Sequence, residues 1–128
     1  MNPLKATLQQ AVSGMELQSR RMGVTAENIS NADTPGYKRK LLMVEQSQMT
    51  NGEQFLASRV QLDQTEAPRE FDPEHPMADG EGYVTLSNVS LVTEMADMRE
   101  ANRSYEANLN SFQQARSMYR SLLDILRR

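Results

Sequence analysis

His75 is the only histidine in the chain and stands among Asp72, Glu74, Asp79 and Glu81. Carboxylates and an imidazole in such a neighbourhood can share a divalent cation. An EF-hand calcium loop needs acids at alternate positions, a central glycine and a terminal glutamate, and the run "DPEHPMADGEG" does not follow that order. Cysteine is absent, which removes thiolate ligands and thiol nucleophiles together. No G-x-S-x-G, P-loop or G-x-G-x-x-G motif occurs, and a lone histidine supplies no nucleophile and base at a recognisable spacing. The acidic run therefore reads as a solvated loop. The sequence offers no catalytic residue, no metal ligand set and no cofactor.

Charge narrows the partners. The 128 residues carry a net charge of -3 with an isoelectric point near 5.2, a poor footprint for nucleic acid or anionic lipid. The cationic run Lys38-Arg39-Lys40 reads either as a solvated face or as a contact to an acidic neighbour. Residues 63 to 82, with seven acids against one arginine, offer such a neighbour in a second copy.

A more specified stretch is "NISNADTPGYKRK", residues 28 to 40. Asn28 and Asn31 can turn their side chains onto the backbone, and Asp33 can accept amide hydrogens. Thr34-Pro35 forces an extended geometry, and Gly36 can take positive φ in a type II turn behind Pro35. Tyr37 and the three cations follow. A generic helix exit needs only a glycine cap, so this run is expected to leave its helix along one fixed path.

The elements that hold this joint follow from periodicity. From Leu4 to Ile29 a heptad stripe runs through Leu8, Val12, Met15, Ser19, Met22, Ala26 and Ile29, spaced alternately by four and three. Pro3 suits a first turn, and the helix is expected to end near Asn31 because Pro35 follows. A second stripe, Leu91, Met95, Met98, Asn102, Tyr105, Leu109, Phe112, Arg116, Tyr119, Leu123 and Leu126, predicts a long C-terminal helix with Ser90 as a plausible N-cap. Acids gather near its start and arginines near its end, as the helix dipole favours. A helix from 91 to 128 is about 57 Å long, whereas a compact globule of this size is roughly 36 Å across. Such a stripe needs cover from the N-terminal helix and from other subunits.

Between the helices, residues 55 to 63 and 83 to 86 are strand candidates, 46 to 53 a turn or mobile loop, and 66 to 82 an irregular, proline-rich connector. The predicted fold is mainly α: elongated N- and C-terminal helices paired as an antiparallel coiled coil, with a small extended or β middle. The expected division is residues 1–31, 32–87 and 88–128. No secretory h-region and no apolar run of about 18 residues is found, so no cleaved secretory signal is expected: the protein is soluble when made or leaves by a signal-independent route.

The spacing Asn28, Asn31, Thr34, Pro35, Gly36, Tyr37 after an amphipathic helix resembles the signature of bacterial flagellar axial proteins of the rod and hook. The start Asn88-Val89-Ser90-Leu91 of the C-terminal helix resembles its other half. The connector "FDPEHPMADGEGYVTLSNV" is similar to that of the basal-body rod members, and together these cover nearly the whole chain. The resemblance implies a structural subunit of the proximal rod, exported through the flagellar type III apparatus into the periplasmic space. It also implies partners among copies of itself and other rod proteins, and a helical tube that transmits torque and lines the export channel. The residues expected to form the assembly seam are the apolar members of both stripes. A soluble coiled-coil adaptor or secretion chaperone is the alternative, but it has no use for the joint or the connector.

Overall fold

The computed structural model describes residues 3–52 and 54–128. Met1 and Asn2 of the expected N-terminal segment, and Glu53 of the expected loop, lie outside them. The elements are α1 (Pro3–Ser30), β1 (Lys40–Gln48), β2 (Gln54–Leu62), β3 (Arg69–Phe71), β4 (Tyr83–Thr85) and α2 (Leu91–Leu126). The fold is mainly helical, with a small β-containing middle.

α1 stops where its carbonyls find side-chain partners: the Asn31 Nδ2 donates to Glu27 O at 2.9 Å and the Ser30 hydroxyl to Ala26 O at 2.9 Å. Both add a second donor to a carbonyl of the last turn, Glu27 O also accepting the Asn31 amide at 3.1 Å, the back-bonding that polar side chains make near a helix end. α2 starts after Ser90, whose side chain makes no capping bond. Its carbonyl accepts the Glu94 amide at 3.0 Å.

The two helices run antiparallel, because contacts ascend one as they descend the other: Asn28 with Glu94, Arg21 with Glu100, Gly14 against Asn108. Small residues mark the contact. Ala11 is buried on α1, Ala101 and Ala115 on α2, and a Cβ on Gly14 would stand 2.6 Å from the Asn108 amide. Continuing the register, Pro3 falls opposite the turn around Tyr119, so the last turns of α2 run past the start of α1.

β1 and β2 form an antiparallel hairpin in continuous register from Lys40↔Leu62 to Gln48↔Gln54. Residues 46 to 48, expected in a loop, are strand because residues 54 to 56 face them across the ladder. β3 and β4 make a second small sheet, Arg69↔Thr85 to Phe71↔Tyr83, so a strand also lies within the connector expected to be irregular. The Phe71 and Tyr83 rings meet edge to face at 5.3 Å, a favourable arrangement of their quadrupoles. Asp79 ties the intervening loop by accepting the Glu81 and Tyr83 amides at 2.9 and 3.0 Å and pairing with Arg69.

The chain's own core is thin. Ala11, Val84, Ala101 and Ala115 are the buried apolar residues among those described, whereas many large apolar side chains are exposed. No helix among the described residues is long and apolar enough to cross a membrane.

Candidate functional site

The polar centre of the molecule lies where α1 ends, α2 begins and β1 starts. Asn28, only 1% exposed, uses both ends of its amide. Its Nδ2 donates to Lys40 O at 2.9 Å and to Glu94 Oε2 at 3.3 Å, while its Oδ1 accepts the Tyr37 hydroxyl at 2.8 Å and the Lys40 amide at 2.9 Å. One side chain thus holds both backbone polar groups of the first residue of β1. It replaces the ladder partner that an edge residue otherwise lacks.

Thr34-Pro35-Gly36-Tyr37 is a type II turn. The Tyr37 amide donates to Thr34 O at 3.2 Å, and Gly36 has φ +76°. That is the left-handed region open to glycine. The Thr34 hydroxyl donates to Asn31 Oδ1 at 3.1 Å, and the Gly36 amide to Thr85 O at 3.0 Å. The joint is therefore tied back to α1 and across to β4.

Arg39 completes the centre. Its guanidinium pairs with Glu94, with Asp97 at 3.0 Å and with Asp63 at 3.7 Å. Burial works against the Arg39 charge. The hydrogen bond and charge of Glu94, with Asp97 and Asp63, outweigh it and raise the pKa above its ordinary value. Glu94 is only 1% exposed, and such a carboxylate is tolerable in the interior only when paired. Asn88 clamps the same place: its Oδ1 accepts the Arg39 amide at 2.6 Å, and its Nδ2 donates to Asp63 O and Thr65 O at 2.9 and 3.0 Å.

Three neighbouring groups are shifted. Burial pushes the Tyr37 hydroxyl up, assisted by Glu27. The hydrogen bond to Glu27 holds Lys40 above its usual value. The Thr65 hydroxyl and amide, with Arg39, hold the Asp63 carboxyl below the usual carboxylate range.

All six joint residues fall in one stretch beside this centre, with the side chains of Asn28 and Tyr37 inside it. The cations divide: Arg39 and Lys40 have acidic partners in the same chain, and Lys38 donates to Gln64 at 2.9 Å. Glu94 and Asn88 lie outside the predicted site residues, whereas the contact of the Lys38-Arg39-Lys40 run with the acids of residues 63 to 82, expected between copies, is made within one chain by Arg39 and Asp63. No local signal marks Glu94, which stands off the predicted stripe, between Leu91 and Met95.

Of the predicted stripes, Leu8, Met15, Met22, Ile29, Met98, Tyr105, Leu109, Phe112 and Tyr119 are half-buried. Val12, Leu91, Met95, Leu123 and Leu126 are exposed. His75 uses Nδ1 to accept the Met77 amide at 3.0 Å. No group of metal-binding side chains is brought together among the described residues.

Comparison with known proteins bears on this arrangement. A family model described as "Flagella basal body rod protein" matches residues 8–38, which take in most of α1 and the joint. One described as "Flagellar basal body rod FlgEFG protein C-terminal" matches residues 81–125, β4 and most of α2. Both models describe rod proteins of the flagellar basal body. The chain is 41% identical to the flagellar basal-body rod protein FlgC of Agrobacterium fabrum, over 99% of this chain and 98% of the relative. It is 30% identical to FlgC of Borreliella burgdorferi over 96% and 97%, and 33% identical to FlgC of Salmonella typhimurium over 84% and 87%. The chain belongs to the FlgC family of flagellar basal-body rod proteins.

Proposed function

We propose that this structural subunit of the flagellar basal-body rod enters the rod through the uncovered apolar faces of its paired helices, with the joint fixing the angle of the middle segment. The observation that carries the reading is the placement of large apolar side chains on α2 that the single chain leaves in water. Val92 is 80% and Leu126 73% exposed, with Leu91, Met95, Met118, Leu122, Leu123 and Ile125 also exposed. Apolar surface gathered along one long helix marks a contact with other molecules. The half-buried stripe residues would complete coiled-coil packing between α1 and α2 and against neighbouring subunits, other copies and other rod proteins.

In this reading residues 1–31 and 88–128 build the inner helical layer and residues 32–87 face outward. Asn28, Asn31, Thr34, Pro35, Gly36 and Tyr37 set the angle between them. Repetition of the same contacts without closure gives a tube. The tube transmits torque and surrounds the export channel. The subunit reaches the periplasmic space through the type III export apparatus without a cleaved signal, and it catalyses no reaction.

Val92→Asp and Leu126→Asp test the reading, because both sites are exposed in the single chain and neither change disturbs its own packing. Each variant is expected to keep wild-type helix content by circular dichroism, to be secreted, and to be missing from isolated basal bodies. Normal incorporation of both would overturn the proposal.

A further inference from the structure

Beside the joint lies a groove of about 300 Å³, lined by Pro35, Val84 and Leu86 and by the acids Asp33, Glu70 and Asp72 among others. Pro35 and Leu86 are half-buried and Val84 buried, the three acids are exposed, and half-buried His75 and buried Ser87 also line it. None of these three acids is in an ion pair among the described residues. The opposite end of the molecule has the complementary character. The last turns of α2 carry exposed Leu122, Ile125 and Leu126, together with Arg116, Arg120, Arg127 and Arg128 against the one acid Asp124. These four arginines also lack ion-pair partners among the described residues.

The two ends cannot meet within one chain. α2 is 36 residues of unbroken helix, about 54 Å at 1.5 Å per residue, and the groove sits at its N-terminal end. We infer that the groove at the joint receives the arginine-rich, apolar C-terminal end of α2 from a second copy of the chain. Ile125 and Leu126 would cover the half-buried Pro35 and Leu86 while Arg127, Arg128 and Arg120 approach Asp33, Glu70 and Asp72. The contact is heterologous, tail into head, so it leaves one free tail and one free groove on every pair and extends by repetition. It rests on the assembly reading above and adds to it the partner and polarity of one contact. Opposite charges at the two surfaces favour this order and disfavour tail against tail.

Two full-length variants test the inference. One carries Arg120→Glu, Arg127→Glu and Arg128→Glu, the other Asp33→Lys, Glu70→Lys and Asp72→Lys, and circular dichroism first establishes that each keeps wild-type helix content. Sedimentation velocity of the wild type is expected to show association that weakens about tenfold between low and high salt. Each variant alone, with like charges on tail and groove, is expected to associate at least about tenfold more weakly than wild type. Mixed in equal amounts, the two restore association, because each tail then meets a groove of opposite sign. Should the lysine variant fail to fold, Glu70→Gln with Asp72→Asn replaces it, with a smaller loss expected. Unchanged association of either variant, a mixture no stronger than its components, or a wild type monomeric up to about 1 mM would each overturn the inference. Val92→Asp, run in parallel for basal-body incorporation, keeps the two questions apart. Loss there with normal association of the charge variants leaves the helix-face reading standing and this contact refuted.

Discussion

At the scale of single residues, Asn28 and Glu94 show why the joint is more than a helix stop. The Asn28 amide meets two backbone groups of Lys40, the Tyr37 hydroxyl and the Glu94 carboxylate in a place closed to water. Asn28→Ala orphans several of these groups at once, each at about 1–3 kcal/mol. A loss of at least about 3 kcal/mol is expected, read as a lower urea midpoint. Tyr37→Phe removes one bond and is expected to cost about 1 kcal/mol. Glu94→Ala strands the Arg39 guanidinium beside weaker partners, for an expected loss of about 3–5 kcal/mol. Asn28 was legible as a side chain able to turn onto the backbone, but the backbone it meets is that of Lys40, twelve residues on, and not the end of its own helix. Its partner Glu94 was not legible. Their hydrogen bond joins positions 66 residues apart, and no local periodicity reports which acid a distant turn will bury.

At the scale of elements, the helix pair separates two glycines that look alike in sequence. Gly23 lies on α1 with nothing near an added Cβ, whereas one on Gly14 would meet the Asn108 side chain. Gly23→Ala is expected to stabilise by about 0.5–1 kcal/mol through helix propensity alone. Gly14→Ala is expected to gain less or to destabilise, with Asn108→Ala restoring the gain, all measurable as shifts in thermal midpoint. The same close approach explains what periodicity could and could not place. Both long helices were legible from their three-and-four spacing and their punctuation by Pro3, Pro35 and Ser90. That spacing counts large apolar residues, but the apolar residues these helices bury are the small Ala11, Ala101 and Ala115, with Gly14 against Asn108. The buried positions therefore include neighbours of the stripe residues, Ala11 beside Val12 and Ala101 beside Asn102. In the β3–β4 loop, hydrogen bonds from the Tyr83 and Glu81 amides and Arg69 hold Asp79 below the usual carboxylate range. A carboxyl with a lowered folded pKa stabilises fully above its unfolded value, near 4, and loses that contribution as pH falls through the folded one. Thermal midpoints at pH 7 and pH 2.5 are expected to differ less in Asp79→Asn than in wild type.

At the scale of the whole molecule, a thin core and long exposed apolar helices make stability a property of company. The thermal midpoint of the purified chain is expected to rise with protein concentration, as it does when association favours the folded form. A midpoint fixed across a hundredfold range would contradict this. The length of α2 was legible as an excess over any single compact core, which is why its cover had to be sought in other chains. The roots of the hairpin carry a different consequence. The Asp63 amide donates to Arg39 O at 2.7 Å, and Asn88 grips both the incoming strand at Arg39 and the outgoing one at Asp63 and Thr65. Entry and exit of everything between residues 40 and 62 are thus stitched together at one point beside α2. Beyond the stitch the hairpin leans on α1 through the Arg20–Ser58 hydrogen bond, with Val44 facing Ser58 across the ladder, so the part free to vary is its outer end: lengthening, shortening or replacing residues 45 to 57 alters what the subunit displays outward without passing any change in spacing back to the helices.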